Sequence, residues 1–297
     1  MSECCLIGLG SNLGNRSSIL DTALAALQKQ LQVTSVSKWY TYPAIGGPDE
    51  QADFLNGVVV AETSLSALEV ADFLHELETQ AGRKRFIRWS SRTLDCDLLL
   101  FGEHQLDMKT LQVPHPRMIA RRFVLEPANE VASEMLHPQL GWTIGRLYLH
   151  LQEAWPYFCV IGSDPQLSDL VAQRIASEMD SPIIKADLPF AGSNSKSALE
   201  WWQKAQDLFP EGRPSTGLIS TFWIREPWLY HDSLPIHGSF DDADMAPKLI
   251  IVTDPLDSDF GRRFARLDRR LRRPTLFLST DRQQAIQDAV GAVLAMK

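Results

Sequence analysis

The order of its apolar runs predicts that this chain folds as an α+β domain followed by an α/β domain. Two observations carry that reading. The first half alternates strand and helix in the order βαββαβ, and a strand–turn–helix unit begins again at Pro156. The length agrees, because 297 residues at roughly 150 per domain amount to two cores, each large enough to fold without disulfides or metals. A composition of 44% hydrophobic and 22% charged residues excludes a disordered, collagen-like or coiled-coil chain.

The first element is a strand over residues 3–8, apolar throughout its centre. A helix over 16–31 follows, then strands over 33–42 and 54–62. Ser66 followed by Glu69 is a capping box that opens the second helix, over 66–81. Gly82 stands where that helix should stop. A strand over 94–101 and a helical region over about 128–151 complete the first domain, residues 1–152. Two helices and at least four strands in this order make a ferredoxin-like layer. The second domain, residues 156–297, opens with a strand over 158–162 and a helix over 166–179. Later strands fall at 217–223, 249–253 and 275–278, with a last helix over 283–296.

Charge and thiols narrow the function. The net charge is −8, and dividing the chain after Gln152 leaves −4 on each side. An acidic balance argues against a nucleic-acid binder. The longest apolar runs, such as 249–253, are too short to span a bilayer, and the N-terminus lacks a basic segment followed by an apolar one. The expectation is a cytoplasmic protein with no membrane or nucleic-acid partner. Cys4, Cys5, Cys96 and Cys159 lie in apolar runs without metal-ligand spacing, and read as buried free thiols of a reducing compartment.

The densest chemistry lies in residues 82–101. Asp95 and Asp97 alternate with apolar residues on an expected strand, so both carboxylates share one face. Like charges side by side gain nothing structurally. They make sense where a divalent cation sits between them and a phosphate. Arg83, Lys84, Arg85, Arg88 and Arg92 lie just upstream and supply forked donors suited to phosphate oxygens. An acid pair with an arginine loop fits phosphoryl transfer. A solvated loop whose arginines neutralise the aspartates has the same composition, and both readings stand on these residues alone. Gly8, Gly10 and Gly14 superficially suggest a phosphate loop, but no GK[ST] follows. They read instead as glycines that let a turn approach substrate.

The first domain resembles the 6-hydroxymethyl-7,8-dihydropterin pyrophosphokinase family. The resemblance covers residues 7–138 and rests on five ordered motifs. These are Ile7-Gly8-Leu9-Gly10-Ser11-Asn12-Leu13-Gly14, Phe54-Leu55-Asn56, Arg92-Thr93-Leu94-Asp95-Cys96-Asp97, Val113-Pro114-His115-Pro116-Arg117-Met118 and Arg121-Arg122-Phe123-Val124-Leu125. It implies a ferredoxin-like fold and transfer of pyrophosphate from ATP to the pterin hydroxymethyl group, in folate biosynthesis. By the same resemblance Asp95 and Asp97 would bind two Mg²⁺ ions, with Asp97, Arg83 and Arg92 as the catalytic set. Glu78, Arg85, Trp89, His115 and Arg121 would meet ATP, Arg85, Trp89 and Arg121 from mobile loops. Phe54 and Phe123 would sandwich the pterin, Asn56 would read its edge, and Pro43 and Ile45 would line its pocket. Flat rings stack well between aromatic faces, and an amide offers a donor and an acceptor. Plain core packing for the two rings, and a turn role for His115, are the alternatives. Five positions depart from the family pattern: Tyr42, His75, Ser90, Cys96 and Pro116. They bear on substrate affinity and loop closure and leave the charged constellation intact. The competing reading for the whole chain is a non-catalytic pterin-binding protein.

In the second domain, Val160-Ile161-Gly162-Ser163-Asp164-Pro165-Gln166-Leu167-Ser168 occupies the strand–loop–helix place of a P-loop, yet Leu167 and Ser168 stand where Gly and Lys belong. With its overall plan this domain resembles deoxynucleoside-kinase-like P-loop domains that have lost an intact Walker A. The resemblance implies either a relic serving regulation or a homodimer, or a second nucleotide-dependent enzyme. Residues 261–273 carry seven arginines and one aspartate. A phosphate-gripping lid, an RNA patch and a solvated helix face answering Asp254, Asp257 and Asp259 are the readings; the last is favoured because the acids lie adjacent.

Overall fold

The structure is a computed structural model, and it describes residues 2–46, 51–82, 91–108, 110–185, 216–223, 246–267 and 272–296. Contacts divide the chain into a first unit, Met1–Leu149 with Leu294–Lys297, and a second, His150–Val293. Among the described residues no helix is long and apolar enough to cross a membrane.

The first unit is built on an antiparallel sheet. Its strands are β1 (Glu3–Ser11), β2 (Gln32–Val36), β3 (Tyr40–Tyr42), β4 (Phe54–Thr63) and β5 (Asp95–Phe101), in the order β2-β4-β1-β5 with β3 also paired to β4. Two helices, α1 (Arg16–Gln30) and α2 (Ala67–Gln80), give the order βαβββαβ, one strand more than the expected βαββαβ. Alternation decides the faces. Cys5, Ile7 and Leu9 of β1 pack with Leu20, Ala23 and Leu27 of α1 and Val70, Leu74 and Leu77 of α2. Each buried Leu, Ile or Val among them contributes about 1.5–3 kcal/mol. The residues between them, Gly8 and Gly10, therefore face the opposite side of the sheet. The capping box is present: Ser66 Oγ accepts from the Glu69 amide, and the Glu69 carboxylate accepts from the Ser66 amide.

Several expectations change. β1 runs on to Ser11, so Gly8 and Gly10 lie in extended strand rather than in a turn; Gly14 alone of the three takes a positive φ, 68°. The single strand expected over 33–42 is broken between β2 and β3. Ser37 exchanges hydrogen bonds with Val58 there, and the Trp39 ring covers Gly57, where an added Cβ would come within 2.3 Å of it. The helical region expected over 128–151 is two helices, α3 (Arg122–Ala132) and α4 (Ile144–Glu153). They are separated by the paired short strands β8 (Leu136–His137) and β9 (Trp142–Thr143). Gly141, at φ 72°, turns the chain between those strands. A further short pair, β6 (Leu106–Asp107) and β7 (Gln112–Val113), leads into a cis Val113–Pro114 bond. Cys5 and Cys159 are buried, donating to the Ala61 and Phe222 carbonyls, but Cys4 and Cys96 are half-buried, near the start of β1 and on the site strand.

The second unit carries a wholly parallel sheet of β10 (Tyr157–Ile161), β11 (Ile183–Ile184), β12 (Leu218–Ser220), β13 (Leu249–Val252) and β14 (Thr275–Phe277). Their order is β11-β12-β10-β13-β14. Every residue of β10 and β13 is buried, as central strands covered on both faces require. Helices α5 (Pro165–Met179), α6 (Asp259–Ala265) and α7 (Arg282–Leu294) accompany it. Asp164 caps α5, accepting from the Gln166 and Leu167 amides, and Pro165 occupies the first turn. The arginine-rich run is not one solvated helix face. Its helix ends at Ala265, Arg273 is buried, and residues 268–271 lie outside the described residues. Arg262 does meet Asp259 and the Asp257 carbonyl. Asp254, in contrast, turns to the loop after β10, accepting from the amide of Ser163 at 2.8 Å and from its hydroxyl.

Candidate active site

Strand register assembles the site. On β1, Gly10 pairs with Asn56 of β4 on one side and with Asp95 of β5 on the other, and Gly8 pairs with Asp97. On β3, Tyr40 pairs with Asn56 and Tyr42 with Phe54. Paired residues of an antiparallel sheet project to the same face. Phe54, Asn56, Asp95 and Asp97 therefore share the face opposite α1 and α2. A side chain at Gly10 would displace Asn56: an added Cβ would stand 2.7 Å from Asn56 Oδ1.

The acid pair is set in a ring of cations. Arg92 Nη1 lies 2.8 Å from Asp95 Oδ2, and Arg121 Nη1 lies 3.5 Å from Asp97 Oδ2. His115 Nε2 is 3.9 Å from that same Asp97 oxygen. The Arg117 amide donates to His115 Nδ1 at 3.2 Å, which leaves the ring proton on Nε2, facing Asp97. Burial first, then the charges of Arg121 and Arg117, hold the imidazole well below the usual histidine range. His115 is thus a neutral donor at neutral pH. Burial and Arg117 also bring Arg121 down to about 10, so it keeps its charge.

Behind the acids, Glu78 of α2 is 3% exposed, and its Oε1 accepts the Cys96 amide at 2.9 Å. Its Oε2 lies 3.5 Å from His75 Nδ1. Glu78 thereby grips the strand that presents the two aspartates.

Phe54, on β4, stands on the other side of β1 from the acids. Phe123 lies in the first turn of α3, with the Arg121 guanidinium carbon 5.4 Å from its ring centre. Tyr42, paired with Phe54, has its ring centre 6.3 Å from that of Phe123. Pro43 is exposed and Ile45 half-buried in the segment after β3. Arg83, Arg85 and Trp89, expected at the phosphates and in the closing loops, lie outside the described residues.

Three residues with no role in the sequence reading stand at this site. Asn12, 2% exposed, accepts the Arg92 amide at 2.7 Å and donates to the Ala52 carbonyl and to Ser91 Oγ. It ties the end of β1 to the segments carrying Arg92 and Phe54. Its signal was its place inside the first motif. Arg117 fixes the His115 tautomer and sits inside the fourth motif. Glu126, which accepts from Tyr42, had no local signal.

The acid pair suits a hard cation. Both carboxylates are partly exposed, and among the described residues no group of three or more His, Cys, Asp or Glu comes together. Most coordination positions would be left to water and phosphate oxygens, as Mg²⁺ prefers.

Comparison with known proteins agrees with this geometry. A family model described as 7,8-dihydro-6-hydroxymethylpterin-pyrophosphokinase matches residues 6–133. A 2-amino-4-hydroxy-6-hydroxymethyldihydropteridine pyrophosphokinase of Pseudomonas aeruginosa is 39% identical over 159 residues, which cover 53% of this chain and 94% of that protein. Proteins of the same name from Bacillus subtilis (40% identical, 46% of this chain and 81% of that one) and Synechocystis (39% identical, 51% and 78%) match similarly.

Proposed function

The chain belongs to the 7,8-dihydro-6-hydroxymethylpterin-pyrophosphokinase family, and on that premise we propose that its first domain moves the β,γ-pyrophosphoryl group of ATP to 6-hydroxymethyl-7,8-dihydropterin, in folate biosynthesis. The hydroxymethyl oxygen bonds to the β-phosphorus as the bond from that phosphorus to the bridging oxygen of AMP breaks. AMP and the pterin diphosphate are the products. One observation carries the reading most: the register at Gly10, which sets an amide on one side and the acid pair on the other, on one face. Two strand spacings, about 10 Å, separate them, the scale of a pterin held by its edge with its hydroxymethyl arm at the acids.

In this reading Phe54 and Phe123 hold the bicycle by its faces, Asn56 pairs with its edge, and Pro43 and Ile45 close the pocket. Asp95 and Asp97 would hold Mg²⁺, two ions in all, which when bound polarises phosphate oxygens and lowers the pKa of the attacking hydroxyl. Asp97 also stands to take the hydroxyl proton. Arg92, with Arg83, steadies charge on the moving and leaving groups, and Arg121 and the Nε2–H of His115 donate to phosphate oxygens. Arg85 and Trp89 complete the ATP side. Glu78, assigned to ATP by resemblance, serves it through the Cys96 backbone, by holding the acid strand.

The second domain, taken as residues 156–297 after a first domain of 1–152, reads as a P-loop-like fold without its phosphate cradle. The Ser163 amide is engaged by Asp254, and the Gln166 and Leu167 amides by Asp164. Amides already held by the chain's own carboxylates do not receive a phosphate. We assign this domain a regulatory or dimerising role, and the protein to the cytoplasm, a reducing compartment that suits thiols set in apolar runs.

Asp97→Asn tests the first-domain proposal. With ATP, Mg²⁺ and hydroxymethyldihydropterin, AMP release should fall by at least about a thousandfold while the thermal midpoint holds. AMP release at the wild-type rate would refute the assignment.

A further inference from the structure

Two tyrosines of β3 are tied to two glutamates of α3. The Tyr42 hydroxyl donates to Glu126 Oε2 at 2.8 Å, and the Tyr40 hydroxyl donates to Glu130 Oε2 at 3.0 Å. The spacing matches on both elements: i and i+2 share a strand face, and i and i+4 share a helix face. The two phenol rings stack, with centres 6.4 Å apart and planes 28° apart. Arg122 Nε lies 3.2 Å from the oxygen that Tyr42 uses, so Glu126 is held from two sides. Glu130 also accepts the Lys38 amide.

The two pairs differ in what they hold. Phe123 precedes Glu126 by three residues, about 4.5 Å along the helix axis, and the Tyr42 ring lies beside it. Tyr42 also pairs with Phe54 and leads directly into Pro43. Glu130 stands about 10 Å from Phe123 along the same axis.

We infer that Tyr42 and Glu126 are positioning residues for the pterin: their hydrogen bond sets the separation of the two pocket walls, Phe54 with the segment after β3 on one side and Phe123 of α3 on the other. The inference rests on the pterin pyrophosphokinase reading. A stacking slot works only at the right width, because a ring gap widened by a fraction of an ångström forfeits contact on both faces. The acid pair lies on β5, whereas the latch joins β3 to α3. It belongs to binding rather than to the chemical step.

The test compares full-length wild type with Tyr42→Phe, which keeps the ring and loses the donor, and with Glu126→Gln, which keeps an acceptor. Tyr40→Phe is the control for a bond of the same kind farther from Phe123. Steady-state AMP release gives KM for each substrate and kcat, and fluorescence titration with 6-hydroxymethylpterin gives affinity without turnover. Tyr42→Phe should raise the pterin KM and Kd roughly tenfold, with the ATP KM and kcat within about twofold. Glu126→Gln should fall between Tyr42→Phe and wild type. The double variant should fall short of the sum of the two single effects, because both variants weaken the Tyr42–Glu126 bond. Tyr40→Phe should leave the pterin KM near wild type.

An unchanged pterin KM and Kd in a folded Tyr42→Phe overturns the inference. So does a parallel rise in the ATP KM, or an equal effect of Tyr40→Phe, since either marks general distortion. Should the wild type release no AMP, the functional reading fails, and the titration alone then decides the latch.

Discussion

Gly10 is the residue on which the site turns, because it is the point of strand contact between Asn56 and Asp95. The atom that a Cβ would strike is Asn56 Oδ1, the end of a side chain. Gly10→Ala should therefore fold, with Asn56 displaced, and should weaken 6-hydroxymethylpterin binding about tenfold in a fluorescence titration. Unchanged affinity would mean that the Asn56 amide does not read the pterin. At this scale the sequence was legible where function concentrates residue types. Asp95 and Asp97 announce themselves by alternation, and Asn56 and His115 by their motifs. Tyr42 and Glu126 were not legible as a pair, being 84 positions apart; only the packing of α3 on β3 brings them together. Glu78 falls within the helix expected over 66–81, but its contact with the Cys96 amide is a fact of tertiary packing.

At the scale of elements, local chemistry was legible and boundaries set by partners were not. The capping box fixed the start of α2 because both of its hydrogen bonds lie within four residues. The start of α3 at Arg122 had no such signal: no side chain caps it, and Pro127 lies inside the helix. The gap between β2 and β3 comes from Trp39 lying over Gly57, which no window on residues 33–42 contains. In the second unit, β10 and α5 were readable from their apolar pattern, Asp164 and Pro165. The fate of the loop between them was not, because Asp254 arrives from the end of β13. Since that loop's amides are engaged, equilibrium dialysis of the full chain with ATP and Mg²⁺ should find one nucleotide per chain. Two would show that the second domain binds nucleotide as well.

For the whole molecule, the even division of charge conceals a local order. The first unit gathers Arg92, Arg121 and a neutral His115 around two carboxylates, on the sheet face that also carries Phe54 and Asn56. The two-domain plan was legible from length and from the restart at Pro156. The second domain's role was not, since its key loop departs from the pattern it resembles. In the proposed reaction both terminal phosphates of ATP move together. ATP labelled at the β-phosphorus, incubated with Mg²⁺, hydroxymethyldihydropterin and the full-length protein, tests it most directly. The label should appear in the pterin diphosphate, and the released nucleotide should be unlabelled AMP. Label retained in ADP, with a single phosphate on the pterin, would contradict it.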